Sequence, residues 1–147
     1  MKNVKVKEVR GLINEHPSLI GANAPAVQAA EAILKNPRTR TVYIVDREKH
    51  LLGSINVRSL IRFFLPEMFE IDITGGEILK RIHVRTVREL ISGEPAYVTE
   101  DDDLHTTLKV MIKNEMDELP VVDEEKRVIG EVNILEILSI WLIRTQG

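Results

Sequence analysis

A chain of 147 residues, 44% hydrophobic and 29% charged, suits one compact domain or two small halves that share a core. The formal net charge of −3 gives no electrostatic reason to bind nucleic acid or an acidic membrane, and the lack of cysteine excludes disulfides, a thiol nucleophile and cysteine-ligated metal. Met1 to Arg10 is charged and lacks the apolar core of a signal peptide, and the most apolar segment, Ile134 to Ile143, is too short to span a bilayer, so a soluble cytoplasmic protein is expected.

Taken in order, Ser18 to Ile20 reads as a short strand, and Asn23, Ala24 and Pro25 open a helix whose face is Val27, Ala30, Ile33 and Leu34. Asn36 and Pro37 stop it. The β-branched run Val42 to Val45 predicts a covered strand, the charged turn Asp46 to His50 a tight reversal, and Leu51 to Ile55 a second, antiparallel strand. Asn56 then caps a helix that Pro66 ends or kinks. All three phenylalanines fall in the next stretch, around Phe63, Phe64, Leu65, Met68, Phe69 and Ile71, and Thr74-Gly75-Gly76-Glu77 has the spacing of a capping box for a short helix through Ile82.

The same order is then written again. Ala96 to Val98 reads as strand, and Thr99 to Asp103 starts a helix with face Leu104, Leu108, Met111 and Ile112. Leu119 to Val122 and Val128 to Val132 form a hairpin around Asp123 to Arg127, and Asn133 caps the last helix. Val45, Asp46, Glu48, Lys49, Gly53 and Asn56 pair at one offset with Val122, Asp123, Glu125, Lys126, Gly130 and Asn133. Upstream, Val6, Val9, Arg10, Leu12, Ile13 and Pro17 match Val84, Val87, Arg88, Leu90, Ile91 and Pro95 at an offset one residue larger, which places a length difference between about Ile20 and Val27. The expected organisation is therefore one unit over residues 1–61, a helical connection over 62–83, and a second unit over 84–147. Each is a three-stranded sheet with two helices, an α+β fold in which the two pseudo-symmetric units pack sheet to sheet.

The duplicated strand–helix–strand–strand–helix unit, the opening Val-x-x-Val-Arg-x-Leu-Ile, the run Leu119-Pro120-Val121-Val122-Asp123 and the glycine of the second hairpin strand resemble the CBS domain, named from cystathionine β-synthase. Two in tandem resemble a Bateman module. The resemblance implies a regulatory module, not an enzyme, with no required cofactor, that holds AMP, ADP, ATP or S-adenosylmethionine in the cleft between its two domains and forms a homodimer or acts on a partner protein.

In the family's nucleotide-binding members a threonine or serine stands three positions after the glycine, and three positions later an aspartate binds the ribose hydroxyls. Here those places hold Asn56 and Ser59 in the first copy and Asn133 and Glu136 in the second. Glu136 can accept two hydroxyls from its longer arm, whereas Ser59 offers one small hydroxyl; Glu136 also suits the first turn of its helix as an acid near the dipole's positive end. On the phosphate side the first copy offers Arg38 and Arg40, and the second offers Glu115, Asp117 and Glu118, which would repel phosphate, so at most one good nucleotide site is expected. Arg38 and Arg40 also fit a solvated loop.

Two alternatives stand beside the nucleotide reading. One is a structural or dimerisation module without a ligand. The other is a Mg²⁺ sensor built on Asp101, Asp102 and Asp103, whose simpler role is helix capping. His16, His50, His83 and His105 have no metal-ligand spacing, and no catalytic constellation is recognisable, so neither a metal site nor a catalytic site is expected. The last helix, with Leu135, Leu138, Trp141 and Leu142, is too apolar to leave uncovered.

Overall fold

The computed structural model describes residues 1–69 and 72–146; Ile71, and the side chains of Phe69 and His83, lie outside the described residues. The elements follow the duplicated order. The first copy has a short helical turn α1 (Val6–Val9), β1 (Ser18–Gly21), α2 (Ala26–Lys35), β2 (Thr41–Val45), β3 (Leu51–Asn56) and α3 (Val57–Phe64). Next come a 3₁₀ turn at Pro66–Phe69, α4 (Gly75–His83) and a second 3₁₀ turn at Val87–Leu90. The second copy closes with β4 (Val98–Thr99), α5 (Leu104–Asn114), β5 (Glu118–Val122), β6 (Val128–Asn133) and α6 (Ile134–Gln146). Two three-stranded sheets result, ordered β1-β2-β3 and β4-β5-β6.

The local signals act where their chemistry requires. Asn56 Oδ1 accepts from the Ser59 N–H at 2.9 Å, Asp103 Oδ1 from the Thr106 N–H at 2.7 Å, and Thr74 Oγ1 from the Glu77 N–H at 3.1 Å. Each satisfies one of the free amides at a helix start. α3 stops at Phe64, before Pro66, which lacks the amide to continue it. β1 pairs in parallel with β2, and β4 in parallel with β5, whereas β5 and β6 form the expected antiparallel hairpin.

The chain forms two compact units, and their membership crosses the sequence repeats. Unit 1 comprises Met1–Pro17, Lys49–Leu51 and Ala96–Gly147; unit 2 comprises Ser18–Glu48 and Leu52–Pro95. Each copy's opening segment thus packs with the other copy's sheet. In unit 1, Val4, Val6 and Val9 join a core of Val98, Leu104, Met111, Leu119, Val121, Val132 and Ile137. In unit 2, Val87 joins Ala22, Ala29, Ile33, Val42, Ile44, Ile55 and Leu60. Each such apolar side chain contributes roughly 1.5–3 kcal/mol when fully buried, less for alanine, which holds the opening segments in place. The stretch 62–83, expected only as a connection, is part of unit 2. Within it Arg81 donates to the Phe63 carbonyl at 3.0 Å, lies over the Phe63 ring at 4.8 Å, and pairs with Glu77 at 3.4 Å.

Two registers differ from the sequence reading. In unit 1 the Val6 N–H donates to the Asp102 carbonyl and the Lys7 N–H to that of Glu100; in unit 2 Val87 and Arg88 donate to Ala24 and Ala22, the counterparts of Asp102 and Glu100. The Lys5 N–H bonds Glu8 at 2.6 Å, as the Thr86 N–H bonds Glu89 at 2.9 Å. Val6 therefore corresponds to Val87, not Val84, a shift of three residues. An apolar residue every third position (Val84, Val87, Leu90) makes both registers plausible in sequence. The correction leaves the following loop three residues longer in unit 1, Gly11 to Pro17 against Ser92 to Pro95.

The single-residue difference is likewise not between Ile20 and Val27. β1 with α2 keeps the same spacing as β4 with α5, and the extra residue lies between the helix end and the next strand, in Pro37–Arg40 against Glu115–Asp117. The buried line of α2 is Ala26, Ala29 and Ile33, and that of α5 is Leu104, Thr107 and Met111; Leu34 and Ile112, expected on these faces, are 81% and 75% exposed. Alanines around most of α2 blur its apolar face, so the sequence pattern could not fix its phase.

Candidate functional site

In unit 2 three of the anticipated positions meet at the start of α3. The Val57 N–H donates to the Arg40 carbonyl at 3.2 Å, so the loop that carries Arg38 and Arg40 ends against the helix N-terminus. There Asn56 Oδ1 accepts from both the Ser59 N–H, at 2.9 Å, and the Ser59 hydroxyl, at 3.1 Å. Both arginines have exposed side chains, and the partly buried Ser59 keeps acceptor capacity beyond the bond it donates. The positive end of the helix dipole lies at this point, where the loop that carries the two arginines ends.

Unit 1 repeats the backbone and inverts the charge. The Ile134 N–H donates to the Asp117 carbonyl at 2.8 Å, where unit 2 has Arg40. At the opposite end of β5, Thr99, Glu100, Asp101, Val122, Asp123, Glu124 and Ile129 line a hollow of about 310 Å³. Four carboxylates around one hollow repel phosphate.

Asn133 and Glu136 are both buried, at 3% and 0% exposure. Asn133 Oδ1 accepts from the Leu135 N–H at 2.8 Å, and Glu136 Oε1 from the Asn133 N–H at 2.7 Å. Glu136 Oε2 accepts from the Ile13 N–H at 2.9 Å, and the backbone amides of Asn14 and Gly11 lie close enough to favour its charged form. Burial pushes this carboxyl above the ordinary glutamate value, against the lowering effect of those amides. Beside it Glu131, 1% exposed, takes a 2.7 Å hydrogen bond from the Asn14 side-chain amide. Glu131, Asn14 and the backbone of Gly11–Asn14 do not stand out in the sequence. Their signal is the longer loop, visible only once the opening segments are in register.

The counterparts of Glu131 and Glu136 in unit 2 are Ser54 and Ser59, and Ser54 Oγ is buried without a hydrogen-bond partner. The segment over the glycine also differs. A Cβ on Gly53 would lie 2.8 Å from Ile91 Cβ, and one on Gly130 would lie 2.7 Å from Arg10 Nη1. Arg10 in turn pairs with Glu100 at 3.3 Å.

The acidic stretch is occupied by protein partners. Asp101 pairs with Lys7 at 3.2 Å, Asp102 accepts from the Thr99 N–H at 2.8 Å, and Asp103 caps α5. Among the described residues no group of three or more histidine or acidic side chains converges as a metal site, and no helix is long and apolar enough to cross a membrane. α6 buries Ile137 but leaves Leu135, Leu138, Trp141, Leu142 and Ile143 between 42% and 67% exposed.

Comparison with known proteins agrees with this architecture. The CBS domain family model matches residues 6–66 and 87–142. The carnitine transport ATP-binding protein OpuCA of Listeria monocytogenes is 30% identical over 141 residues, 92% of this chain and 31% of that protein, so the chain spans about a third of that relative's length. A CBS domain-containing protein from Thermotoga maritima is similar in structure, with a TM-score of 0.77, 32% identity and 97% of both chains covered. The CBS domain pair of protein MJ0100, crystallised with 5′-methylthioadenosine and S-adenosyl-L-methionine, has a TM-score of 0.72 at 20% identity over 96% of this chain and 98% of that one. CBSX2 in complex with AMP has a TM-score of 0.73 at 16% identity over 97% and 99%. Both halves of the family match fall on the two copies of the fold, and the chain belongs to the CBS-domain family, with two such domains in tandem.

Proposed function

We propose that the chain is a regulatory binding module that senses an adenosine-containing ligand, AMP, ADP, ATP or S-adenosylmethionine, through the start of α3 in unit 2. The observation that carries this reading is the convergence of the Arg40 loop, Asn56 and Ser59 on one helix N-terminus, with Arg38 two residues upstream. Guanidinium and helix dipole receive the phosphate or another anionic group, and Asn56 with Ser59 receives the ribose hydroxyls. Proteins of the same fold, MJ0100 and CBSX2, are known in complex with adenosine compounds, which supports the ligand class. No catalytic role is assigned. Occupancy acts by linkage: a ligand that prefers one conformation shifts the equilibrium by its differential affinity. The exposed apolar face of α6 pairs with a second copy, and the homodimer reports to a partner protein.

Thermal unfolding and calorimetry with AMP, ATP and S-adenosylmethionine test the reading. Ligand at 100 times its Kd raises stability by about 2.7 kcal/mol. Silence from all three at millimolar concentration refutes it. The second reading, an interaction module without a ligand, has one observation in its favour, the engagement of Glu136 by the chain's own amides. It predicts that silence. A Mg²⁺ sensor has no comparable support, since Asp101, Asp102 and Asp103 each have protein partners.

A further inference from the structure

We propose that the loop Gly11–Asn14 is an internal occupant of unit 1's ribose position and closes that unit to nucleosides, so that the chain takes its ligand at unit 2 alone. The inference rests on the nucleotide reading above for its ligand and on unit 1's own geometry for the closure. A carboxylate at the position of Glu136 recognises a ribose by accepting two adjacent hydroxyl donors. In this structure both carboxylate oxygens are already engaged, Oε2 by the Ile13 N–H at 2.9 Å and Oε1 by the Asn133 N–H at 2.7 Å, with the Gly11 and Asn14 amides beside them, and the carboxylate is 0% exposed.

The loop reaches this position because it is three residues longer than its counterpart in unit 2. Gly11 turns it with φ +88°, a left-handed conformation that favours glycine. Asn14, 4% exposed, locks the far end by donating to the buried Glu131 at 2.7 Å. A ligand entering here would strip several buried hydrogen bonds and leave amides to be satisfied again. The shorter loop Ser92–Pro95 faces no glutamate at these positions, because Ser54 and Ser59 stand in their place.

Amide NMR of the full chain, with AMP and then S-adenosylmethionine as probes, tests the closure. The expected result has two parts. Without ligand, the Gly11, Ile13 and Asn14 amides exchange far more slowly than those of Gly93 and Glu94 in the exposed loop of unit 2. With ligand, shifts appear around Arg40, Asn56 and Ser59 while the three amides keep their positions and protection. Loss of protection at Gly11, Ile13 and Asn14 on adding either probe overturns the proposal. If neither probe moves any signal, the nucleotide reading fails, and the closure is decided by exchange: slow amides uphold it, and rates like those of Gly93 and Glu94 overturn it. Glu136→Gln keeps an acceptor and preserves the fold if Glu136→Ala does not; faster exchange at all three amides is expected from it, and unchanged exchange overturns the assignment.

Discussion

At the strand and helix positions where unit 1 carries Glu131 and Glu136, unit 2 carries Ser54 and Ser59, and where unit 1 lays Arg10 over a strand glycine, unit 2 lays Ile91. Both units keep the same backbone scheme: parallel and hairpin pairings, an asparagine at the last helix start, and a carbonyl from the preceding loop against its first amide. The difference lies in the loop after the opening segment. With three extra residues it brings the Ile13 backbone amide to Glu136 and the Asn14 side-chain amide to Glu131, two buried carboxylates that have no counterpart beside the shorter loop. Buried charge is tolerated only where hydrogen-bond partners come with it. The two copies therefore teach that loop length and residue choice changed together while the framework stayed.

The largest expected effect separates the two helix starts. Glu136→Ala leaves the Ile13 and Asn133 amides without their acceptor and should cost roughly 2–4 kcal/mol, whereas Ser59→Ala removes one hydroxyl bond and should cost about 0.5–1 kcal/mol. For a chain of this size about 1 kcal/mol moves Tm by roughly 2–4 °C, so calorimetric melting distinguishes the two substitutions. Equal losses would remove the proposed asymmetry.

The strand glycines come next. Gly53→Ala meets the branched Ile91 Cβ at 2.8 Å, a rigid neighbour, and should cost about 1–3 kcal/mol by overpacking. Gly130→Ala meets the far end of Arg10, which can swing aside, and should stay within about 1 kcal/mol. Denaturant midpoints at constant m-value measure both.

pH sharpens the contrast at Glu136 itself. Its folded value is raised above 4.5 by burial, so its contribution to stability is fully present below the unfolded value and is lost as pH rises through the folded one. Wild type should accordingly gain on Glu136→Gln as pH is lowered from neutral toward the ordinary glutamate value. Asp103 and Asp123 act oppositely: hydrogen bonds from Thr106 and from Arg127 hold their carboxyls below 3.8, so their contributions are lost only as acid brings pH down through those lower values. A wild-type minus Glu136→Gln difference that is flat with pH would contradict the raised value.

The smallest effect concerns helix ends. α5 closes on Glu115 in the left-handed region at φ 54°, whereas α2 closes on Asn36 at φ −133°. Glu115→Gly should stabilise by about 0.5–1 kcal/mol, and Asn36→Gly should not stabilise.

Much of the fold is legible in the sequence because its signals are local. Asn56, Asp103 and Thr74 cap the helices they precede, Pro66 ends α3, and the paired hairpins fall where apolar runs flank charged turns. The opposed charge of the two pre-strand loops, Arg38 and Arg40 against Glu115, Asp117 and Glu118, is also readable. The phase of α2 is not, since alanine gives little contrast between its faces. Nor is the role of Gly11–Asn14, because an apolar residue at every third position hides the register of the opening segments and with it the longer loop. Glu136 stands out in sequence as a carboxylate in a ligand's place; that the Ile13 amide reaches it depends on a segment distant in sequence.

The coupling of loop length to buried acids is tested most directly by a stability cycle on the full chain. One arm deletes Leu12, Ile13 and Asn14, giving unit 1 the shorter loop; the second makes Glu131→Ser and Glu136→Ser; the third combines them. The predicted result is that the deletion alone destabilises strongly, and that the serines recover part of the loss, with a coupling of more than about 1 kcal/mol. Costs that simply add, within about 0.5 kcal/mol, would contradict it.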